Sequence, residues 1–143
     1  MTVNVLYTTQ SKATGGRDGE AGTLDGSFSV RLTTPKEFGG PGGEGVNPEQ
    51  LFATGYAACF LSAIRFVAGQ EKTVVVPQDA TVTAQVGIGP VESGGFGLEV
   101  DLTIDLPGVE PDLAREIVDK AHQVCPYSNA VRGNIDVGLT LVP

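Results

Sequence analysis

Alternating apolar and polar residues predict five β-strands in this chain. The alternation occurs in residues 3–8 (VNVLYT), 27–32 (SFSVRL), 80–88 (ATVTAQVGI), 97–106 (GLEVDLTIDL) and 135–142 (IDVGLTLV). Side chains that point to opposite faces at every second position are typical of a strand. Asp25-Gly26 is a turn signal before the second strand, and the segment GPVESGGFG separates the third from the fourth. We therefore expect the third and fourth strands to form an antiparallel hairpin.

A long helix is predicted from residue 47 to residue 69. Asn47 is suited to the N-cap, Pro48 to the first helical position, and Gln50 to the capping-box position. After the first turn Arg65 is the only charged residue, and the others are apolar or small on nearly every face. Such a composition predicts a helix that is buried on most sides.

A second, amphipathic helix is predicted between Pro111 and Cys125, because apolar residues recur there at helical spacing: Leu113, Ile117, Ala121 and Val124. Together the elements predict an α+β fold, in which antiparallel strand groups pack around a buried central helix. At 143 residues the chain is expected to be a single domain, residues 1–143.

Composition and charge limit the partners. The formal net charge is −8 with nine Lys and Arg, so we expect no nucleic-acid surface, and an anionic membrane should repel the chain. The longest apolar stretch, residues 56–64, is shorter than the roughly 20 residues that span a bilayer. The first residues, MTVNVLYTTQ, lack the features of a signal peptide. We therefore expect a cytoplasmic protein with a neutral or apolar partner.

The two cysteines suggest redox chemistry. Cys59 lies within the apolar run of the long helix, whereas Cys125 precedes Pro126, where a helix should end and the backbone should be freer. In a reducing cytoplasm a disulfide is usually transient and catalytic. A sulfenic acid on Cys59 must be attacked by a second thiol before it is oxidised further, and Cys125 is the candidate for this resolving role.

A thiol in apolar surroundings stays protonated unless a cation reaches it. Arg17 is the candidate cation, because the glycines of TGGRDG allow a tight backbone path that projects the guanidinium inward. Glu49 is the candidate carboxylate that orients this guanidinium. Glu49 and Cys59 are ten residues apart, about 15 Å on one helix. Either the arginine spans them, or the glutamate comes from a second subunit, which the small residues of the helix favour.

Each of these residues also has a plainer interpretation. Cys59 fits a small buried apolar residue, Cys125 a packing residue at a helix end, and Glu49 an acidic residue favoured by the helix dipole. The separation of 66 residues between the cysteines excludes a CxxC motif. One histidine and two cysteines fall one ligand short of a tetrahedral site, so we expect no metal. We interpret His122 as a surface or helix-end residue.

Three segments resemble the organic hydroperoxide resistance proteins, a subfamily of the OsmC-like superfamily: TGGRDG, TPKEFGGPGGEGVNPEQLFATGYAACF and VCPYSNAVRGNIDV. The resemblance implies an intertwined homodimer with a buried central helix from each subunit. It also implies a thiol peroxidase that reduces organic hydroperoxides, including those of fatty acids.

The resemblance assigns roles by position. Cys59 matches the peroxidatic cysteine and Cys125 the resolving cysteine. Arg17 matches the activating arginine, and Glu49 its carboxylate partner. No bound cofactor is implied, because the reductant is an external dithiol, the dihydrolipoyl group of a lipoylated protein.

Four aromatic residues are candidates for lining a substrate pocket: Phe38, Phe52, Phe60 and Phe96. Such a lining would favour bulky organic peroxides over hydrogen peroxide, although each residue also fits a plain core position. Two other functions remain open. One is a redox sensor that signals through a Cys59–Cys125 disulfide, and the other is a carrier of apolar small molecules whose cysteines are not catalytic.

Overall fold

The computed structural model describes residues 2–143, which form two compact units. One unit ends at Leu51 and the other is Phe52–Pro143. The structure contains two three-stranded sheets and a long helix, α1 (Pro48–Glu71). The α+β class predicted from the sequence is confirmed, and the single domain stays a prediction.

The first unit is built on an antiparallel sheet with the strand order β1 (Ser11–Thr14), β2 (Glu20–Thr23) and β3 (Ser29–Arg31). The turn between β2 and β3 lies at Asp25-Gly26, as predicted. Gly26 has a φ of 77°, a conformation that glycine adopts at little cost. The Asp25 carboxylate accepts a hydrogen bond from the Ser27 N–H at 2.9 Å, which closes the turn.

The strand predicted for residues 3–8 is wrong for the single chain. Residues 2–10 lie outside the strands and are exposed, with Val3 67% and Leu6 94% exposed. An alternating segment becomes a strand only where another backbone pairs with its N–H and C=O groups. The strands β1 and β2 escaped prediction because SKAT and EAGT are short and contain no large apolar residue.

The second unit contains the predicted hairpin, in which β4 (Thr81–Pro90) and β5 (Phe96–Asp105) pair antiparallel along their full length. The last strand, β6 (Gly138–Leu141), lies beside β5 but runs parallel to it, unlike the expected antiparallel groups. The reason is that the helices α2 (Pro111–Val124) and α3 (Pro126–Val131) separate these strands in sequence. A helical crossover carries the chain back to the end of the sheet at which β5 begins, and this makes the next strand parallel.

Residues of α1, β5 and α2 form the hydrophobic core of the second unit. Every second residue of β5 points to this core, as the sequence alternation predicts. The amphipathic character of α2 is confirmed in the same way, because its buried residues recur at helical spacing. The largest fully buried apolar side chains are Tyr56, Phe60, Ile64, Val100, Leu102, Ile104, Ile117 and Val118.

The central helix α1 has one buried side and one exposed stripe in the single chain. The stripe consists of Thr54, Ala58, Ser62 and Phe66, and Phe66 is 54% exposed. By length and composition alone, α1 also passes the test for a membrane span, with a mean hydropathy of 1.6. A core helix passes the same test, and six residues of α1 are buried.

Side chains cap the starts of both long helices. At α1, the Gln50 N–H donates to Asn47 Oδ1 at 2.8 Å, and the Asn47 N–H donates to Gln50 Oε1 at 3.0 Å. This reciprocal pair is the predicted capping box. At α2, the Glu110 carboxylate accepts hydrogen bonds from the N–H groups of Asp112 and Leu113, a cap that was not predicted.

Candidate active site

Arg17 lies on a one-turn 3₁₀ helix, Gly16–Asp18, between β1 and β2. Gly15, which precedes this turn, has a φ of 73°. A side chain at Gly19 would place its Cβ 1.8 Å from the carbonyl oxygen of Thr14. The backbone path therefore needs glycine on both sides of the arginine, as predicted.

The guanidinium of Arg17 forms a bidentate ion pair with Glu49 of the same chain. Nη1 donates to Oε2 at 2.9 Å, and Nη2 donates to Oε1 at 2.6 Å. The Glu49 side chain is only 13% exposed. The hydrogen bonds from Arg17 lower the pKa of Glu49, and those to Glu49 raise the pKa of Arg17, so both groups are charged at neutral pH. The pairing itself needs no second subunit, whereas the sequence favoured a glutamate from a second subunit.

The glycine- and proline-rich loop that follows β3 is tied to the arginine segment. The Asp18 carboxylate accepts hydrogen bonds from the N–H and the hydroxyl of Thr34, at 3.1 and 2.9 Å. Phe38, on a one-turn 3₁₀ helix of this loop, places its ring centroid 5.3 Å from Cζ of Arg17. This cation–π contact adds to the two hydrogen bonds that Arg17 donates to Glu49 in orienting the guanidinium.

Cys59 and Cys125 meet in the second unit as free thiols, with their sulfurs 3.7 Å apart. Cys59 is carried by α1, and Cys125 is the residue between α2 and α3. Since the S–S bond of a disulfide is about 2.05 Å long, a movement of less than about 2 Å separates the two thiols from a disulfide.

The burial of the two cysteines is the reverse of what the sequence suggested. Cys59 is half-buried, whereas Cys125 is fully buried. The backbone of Cys125 is also held on both sides, because its N–H donates to the Ala121 carbonyl at 2.8 Å and its C=O accepts from the Asn129 N–H at 2.9 Å. The break in the helix at Pro126 is therefore a hydrogen-bonded corner, unlike the freer backbone that the sequence suggested.

The surroundings of Cys59 within the second unit favour its protonated form. Burial raises the pKa of the thiol, and the neighbouring sulfur of Cys125 adds to the rise, while the backbone N–H of Tyr127 opposes it. A thiolate at neutral pH therefore requires an added positive charge, which is the role that the sequence suggested for Arg17.

The remaining three candidate phenylalanines lie in different surroundings. Phe60 is fully buried and belongs to the core, not to an open pocket wall. Phe52 is half-buried, and its ring centroid lies 6.4 Å from that of Tyr127. Phe96 is 72% exposed at the first position of β5. Of these three, Phe52 lies beside Tyr127, whose backbone N–H faces Cys59.

A buried chain of hydrogen bonds lies beside the cysteines and was not predicted. The Tyr56 and Ser128 hydroxyl oxygens are 2.6 Å apart, and Ser128 Oγ lies 2.8 Å from Nδ1 of His122. His122 is at a helix end, as predicted, but it is half-buried and its ring packs against Phe60. The sequence signal for this site was the position of His122, three residues before Cys125. Burial lowers the pKa of His122, so the ring is neutral at pH 7.

This arrangement supports thiol chemistry. Two neighbouring thiols can lose two electrons and two protons to form a disulfide, which an external dithiol can reduce again. Among residues 2–143, no cluster of three or more His, Cys, Asp or Glu side chains is suited to holding a metal ion.

Comparison with known proteins places the chain in a family. The model of the OsmC-like proteins matches residues 40–140. The chain is 55% identical over 137 residues to the organic hydroperoxide resistance protein of Xanthomonas axonopodis pv. citri, covering 96% of this chain and 95% of that protein. The chain belongs to the OsmC-like family and, within it, to the organic hydroperoxide resistance proteins. The resemblance inferred from three sequence segments is thereby confirmed.

Solved structures of this family share the fold. An organic hydroperoxide resistance protein of Legionella pneumophila is 48% identical with a TM-score of 0.92, covering 98% of this chain and all of that one. The protein OhrB of Bacillus subtilis is 39% identical with a TM-score of 0.85, covering 96% of this chain and all of that one. Glu49 and both cysteines lie within the residues that the family model matches, and Arg17 precedes them.

Proposed function

We propose that this protein is a thiol-dependent peroxidase that reduces organic hydroperoxides, including those of fatty acids, to alcohols in the cytoplasm. The observation that carries the proposal is the pair of free thiols, whose sulfurs lie 3.7 Å apart although the residues are 66 apart in sequence. The names of the relatives in Xanthomonas axonopodis pv. citri and Bacillus subtilis, both organic hydroperoxide resistance proteins, support the substrate class. On this proposal the protein detoxifies peroxides.

In the first proposed step, the Arg17 guanidinium approaches Cys59 and stabilises the thiolate, which offsets the effect of burial on the pKa. Glu49 orients the guanidinium through its two hydrogen bonds. The thiolate attacks the outer peroxide oxygen, the O–O bond breaks, and the leaving alkoxide takes up a proton to become the alcohol. Two electrons pass from sulfur to the peroxide, and Cys59 becomes a sulfenic acid. The guanidinium stabilises the negative charge as it develops on the leaving oxygen.

In the second proposed step, the Cys125 thiol attacks the sulfur of the sulfenic acid. The S–O bond breaks, an S–S bond forms, and the oxygen leaves as water with the proton of the Cys125 thiol. The dihydrolipoyl group of a lipoylated protein then reduces the disulfide by thiol–disulfide exchange. The cycle uses no metal and no bound cofactor.

The active form in this proposal is a homodimer. Residues 3–8 have a strand-like alternation but remain exposed, with Leu6 94% and Tyr7 82% exposed. The exposed stripe of α1 is made of small residues and Phe66. Exposed apolar side chains and an unpaired strand-like segment are both covered when a second copy packs against them.

The proposal is tested by steady-state reduction of cumene hydroperoxide with dihydrolipoamide as reductant. Cys59→Ser should lose turnover, because it has no thiolate to attack the peroxide. Arg17→Ala should lose at least about 100-fold, because the charge on the sulfur and on the leaving oxygen is no longer stabilised. Cys125→Ser should complete one turnover and then stall at the sulfenic acid. Arg115→Ala, an exposed arginine on α2, is the matched control and should keep parental activity.

Three outcomes would overturn the proposal. Full activity in Cys59→Ser would remove the thiol mechanism. One stoichiometric oxidation of the parent without turnover would favour a redox sensor. An unreactive Cys59 whose pKa stays at or above the ordinary value of about 8.5 would favour a carrier of apolar molecules.

A further inference from the structure

Three polar side chains connect the helices that carry the two cysteines. Tyr56 lies on α1 nearly one turn before Cys59, His122 lies in the last turn of α2, and Ser128 lies near the start of α3. The Ser128 hydroxyl bonds to Tyr56 at 2.6 Å and to His122 Nδ1 at 2.8 Å. One continuous chain of hydrogen bonds therefore joins α1, α2 and α3 at the corner that holds Cys125.

The direction of these bonds depends on the protonation of His122. With a neutral ring whose Nδ1 is an acceptor, Ser128 donates to Nδ1 and Tyr56 donates to Ser128, so each member is satisfied. A proton on Nδ1 would reverse the first bond, because the ring would then donate to Ser128. One buried hydroxyl hydrogen, that of Ser128 or that of Tyr56, would lose its acceptor, which is costly. Burial lowers the pKa of His122, and so does the charge of Arg132, which follows α3. The charge of Asp119 on α2 raises it.

The corner also has a second connection, because the Arg132 guanidinium donates to the backbone carbonyl of His122. Cys125 is fully buried at this corner, so the position of the corner sets the position of its sulfur. Disulfide formation is sensitive to such movement, since it requires an S–S distance of about 2.05 Å and a narrow range of dihedral angles.

We propose that Tyr56, Ser128 and His122 are positioning residues that hold the Cys125 sulfur within reach of Cys59 for the resolving step. This inference rests on the proposed thiol peroxidase. In that step the Cys125 thiol attacks the sulfenic acid of Cys59, the S–O bond breaks, water leaves and the disulfide forms. The three side chains act through the position of the α2–α3 corner.

The test separates two rates by rapid mixing with cumene hydroperoxide: the second-order oxidation of Cys59, and the first-order loss of its sulfenic acid, quenched with dimedone. Ser128→Ala should slow the loss of sulfenic acid about tenfold and change Cys59 oxidation less than about twofold. Tyr56→Phe, which removes a single oxygen, should act in the same direction. Ser93→Ala, in the exposed turn of the β4–β5 hairpin, is the matched control and should leave both rates at the parental value.

Oxidation by diamide distinguishes a failure of this inference from a failure of the proposed function. Diamide takes two electrons from a dithiol without any peroxide: one thiolate adds to its N=N bond, and the second thiol displaces the hydrazine as the S–S bond forms. Its rate therefore reports disulfide formation independently of the peroxidase reaction. Ser128→Ala should form the Cys59–Cys125 disulfide about tenfold more slowly than the parent. Parental rates of sulfenic acid loss and of diamide oxidation in this variant would overturn the positioning role. A parent that does not reduce peroxide would overturn the proposed function and leave the diamide result intact.

The pH dependence of diamide oxidation distinguishes this positioning role from a merely structural one. In the parent, the rate of diamide oxidation should show an inflection at the pKa of His122, the only histidine of the chain, and should fall below it. His122→Asn keeps an acceptor near the position of Nδ1, so it should retain most of the rate and lose the inflection. An identical profile in this variant and the parent would contradict the role of His122.

Discussion

Gly55 and Gly69 show how one residue type has different roles on the same helix. A Cβ at Gly55 would lie 3.1 Å from Cε2 of the Tyr127 ring, whereas a Cβ at Gly69 would meet open space. The sequence indicated only that small residues on this helix allow close approach. The neighbour of Gly55 is an aromatic ring of the same chain, on the residue whose backbone N–H faces Cys59.

Alanine at these two positions should therefore have unequal effects on stability. Gly69→Ala should raise the free energy of unfolding by about 0.5–1 kcal/mol, because alanine favours the helix. Gly55→Ala gains the same preference but must displace the Tyr127 ring, so its free energy of unfolding should be at least about 1 kcal/mol below that of Gly69→Ala. Urea denaturation at one protein concentration checks this, and equal values would show that the ring does not constrain position 55.

Among the elements, the start of α1 could be predicted from the sequence and the α2–α3 corner could not. The capping box needs only residues three apart, so its atoms meet wherever the helix begins, and the sequence identified it correctly. The six residues of α3 are too few for a helical period to be recognised. The chain Tyr56–Ser128–His122 joins residues up to 72 apart, and no local pattern predicts such a contact.

Loss of the cap should destabilise the protein through the first turn of α1. Asn47→Ala should lower the free energy of unfolding by about 1 kcal/mol, because the Gln50 N–H loses its acceptor. Asn47→Asp keeps an acceptor oxygen and should remain within about 0.5 kcal/mol of the parent. Thermal or urea unfolding measures both, and a parental value for Asn47→Ala would show that the cap contributes nothing.

For the whole molecule, the main question is where the exposed apolar surface is buried. In the single chain, residues 2–10 expose Val3, Val5, Leu6 and Tyr7 to water, and the stripe of α1 exposes Phe66. The sequence pattern of residues 3–8 is that of a strand, and a single chain supplies no backbone to pair with it. The proposed homodimer would bury the exposed apolar side chains and would supply a backbone that pairs with residues 3–8.

The oligomeric state should depend on this segment. Light scattering coupled to gel filtration should give the parent twice the mass of one chain. Leu6→Asp should shift the equilibrium towards the monomer, because a charge would be buried in the interface. Val75→Asp changes a residue that is 89% exposed outside both surfaces, and it should leave the dimer intact. A monomeric parent, or a dimer that is unaffected by Leu6→Asp, would contradict this arrangement.

Taken alone, the sequence determined the α+β class, the two long helices and the hairpin, and it offered Arg17, Glu49, Cys59 and Cys125 as candidates for the site. Those features depend on local periodicity, on caps and turns, and on residue chemistry, all of which act over a few positions. Only the tertiary structure decided that Arg17 and Glu49 pair within one chain, that Cys125 is the more buried thiol, that β6 runs parallel to β5, and that His122 faces a serine inside the fold. These features depend on which side chains, distant in sequence, come into contact when the chain packs. The residues adjacent in sequence do not determine those contacts.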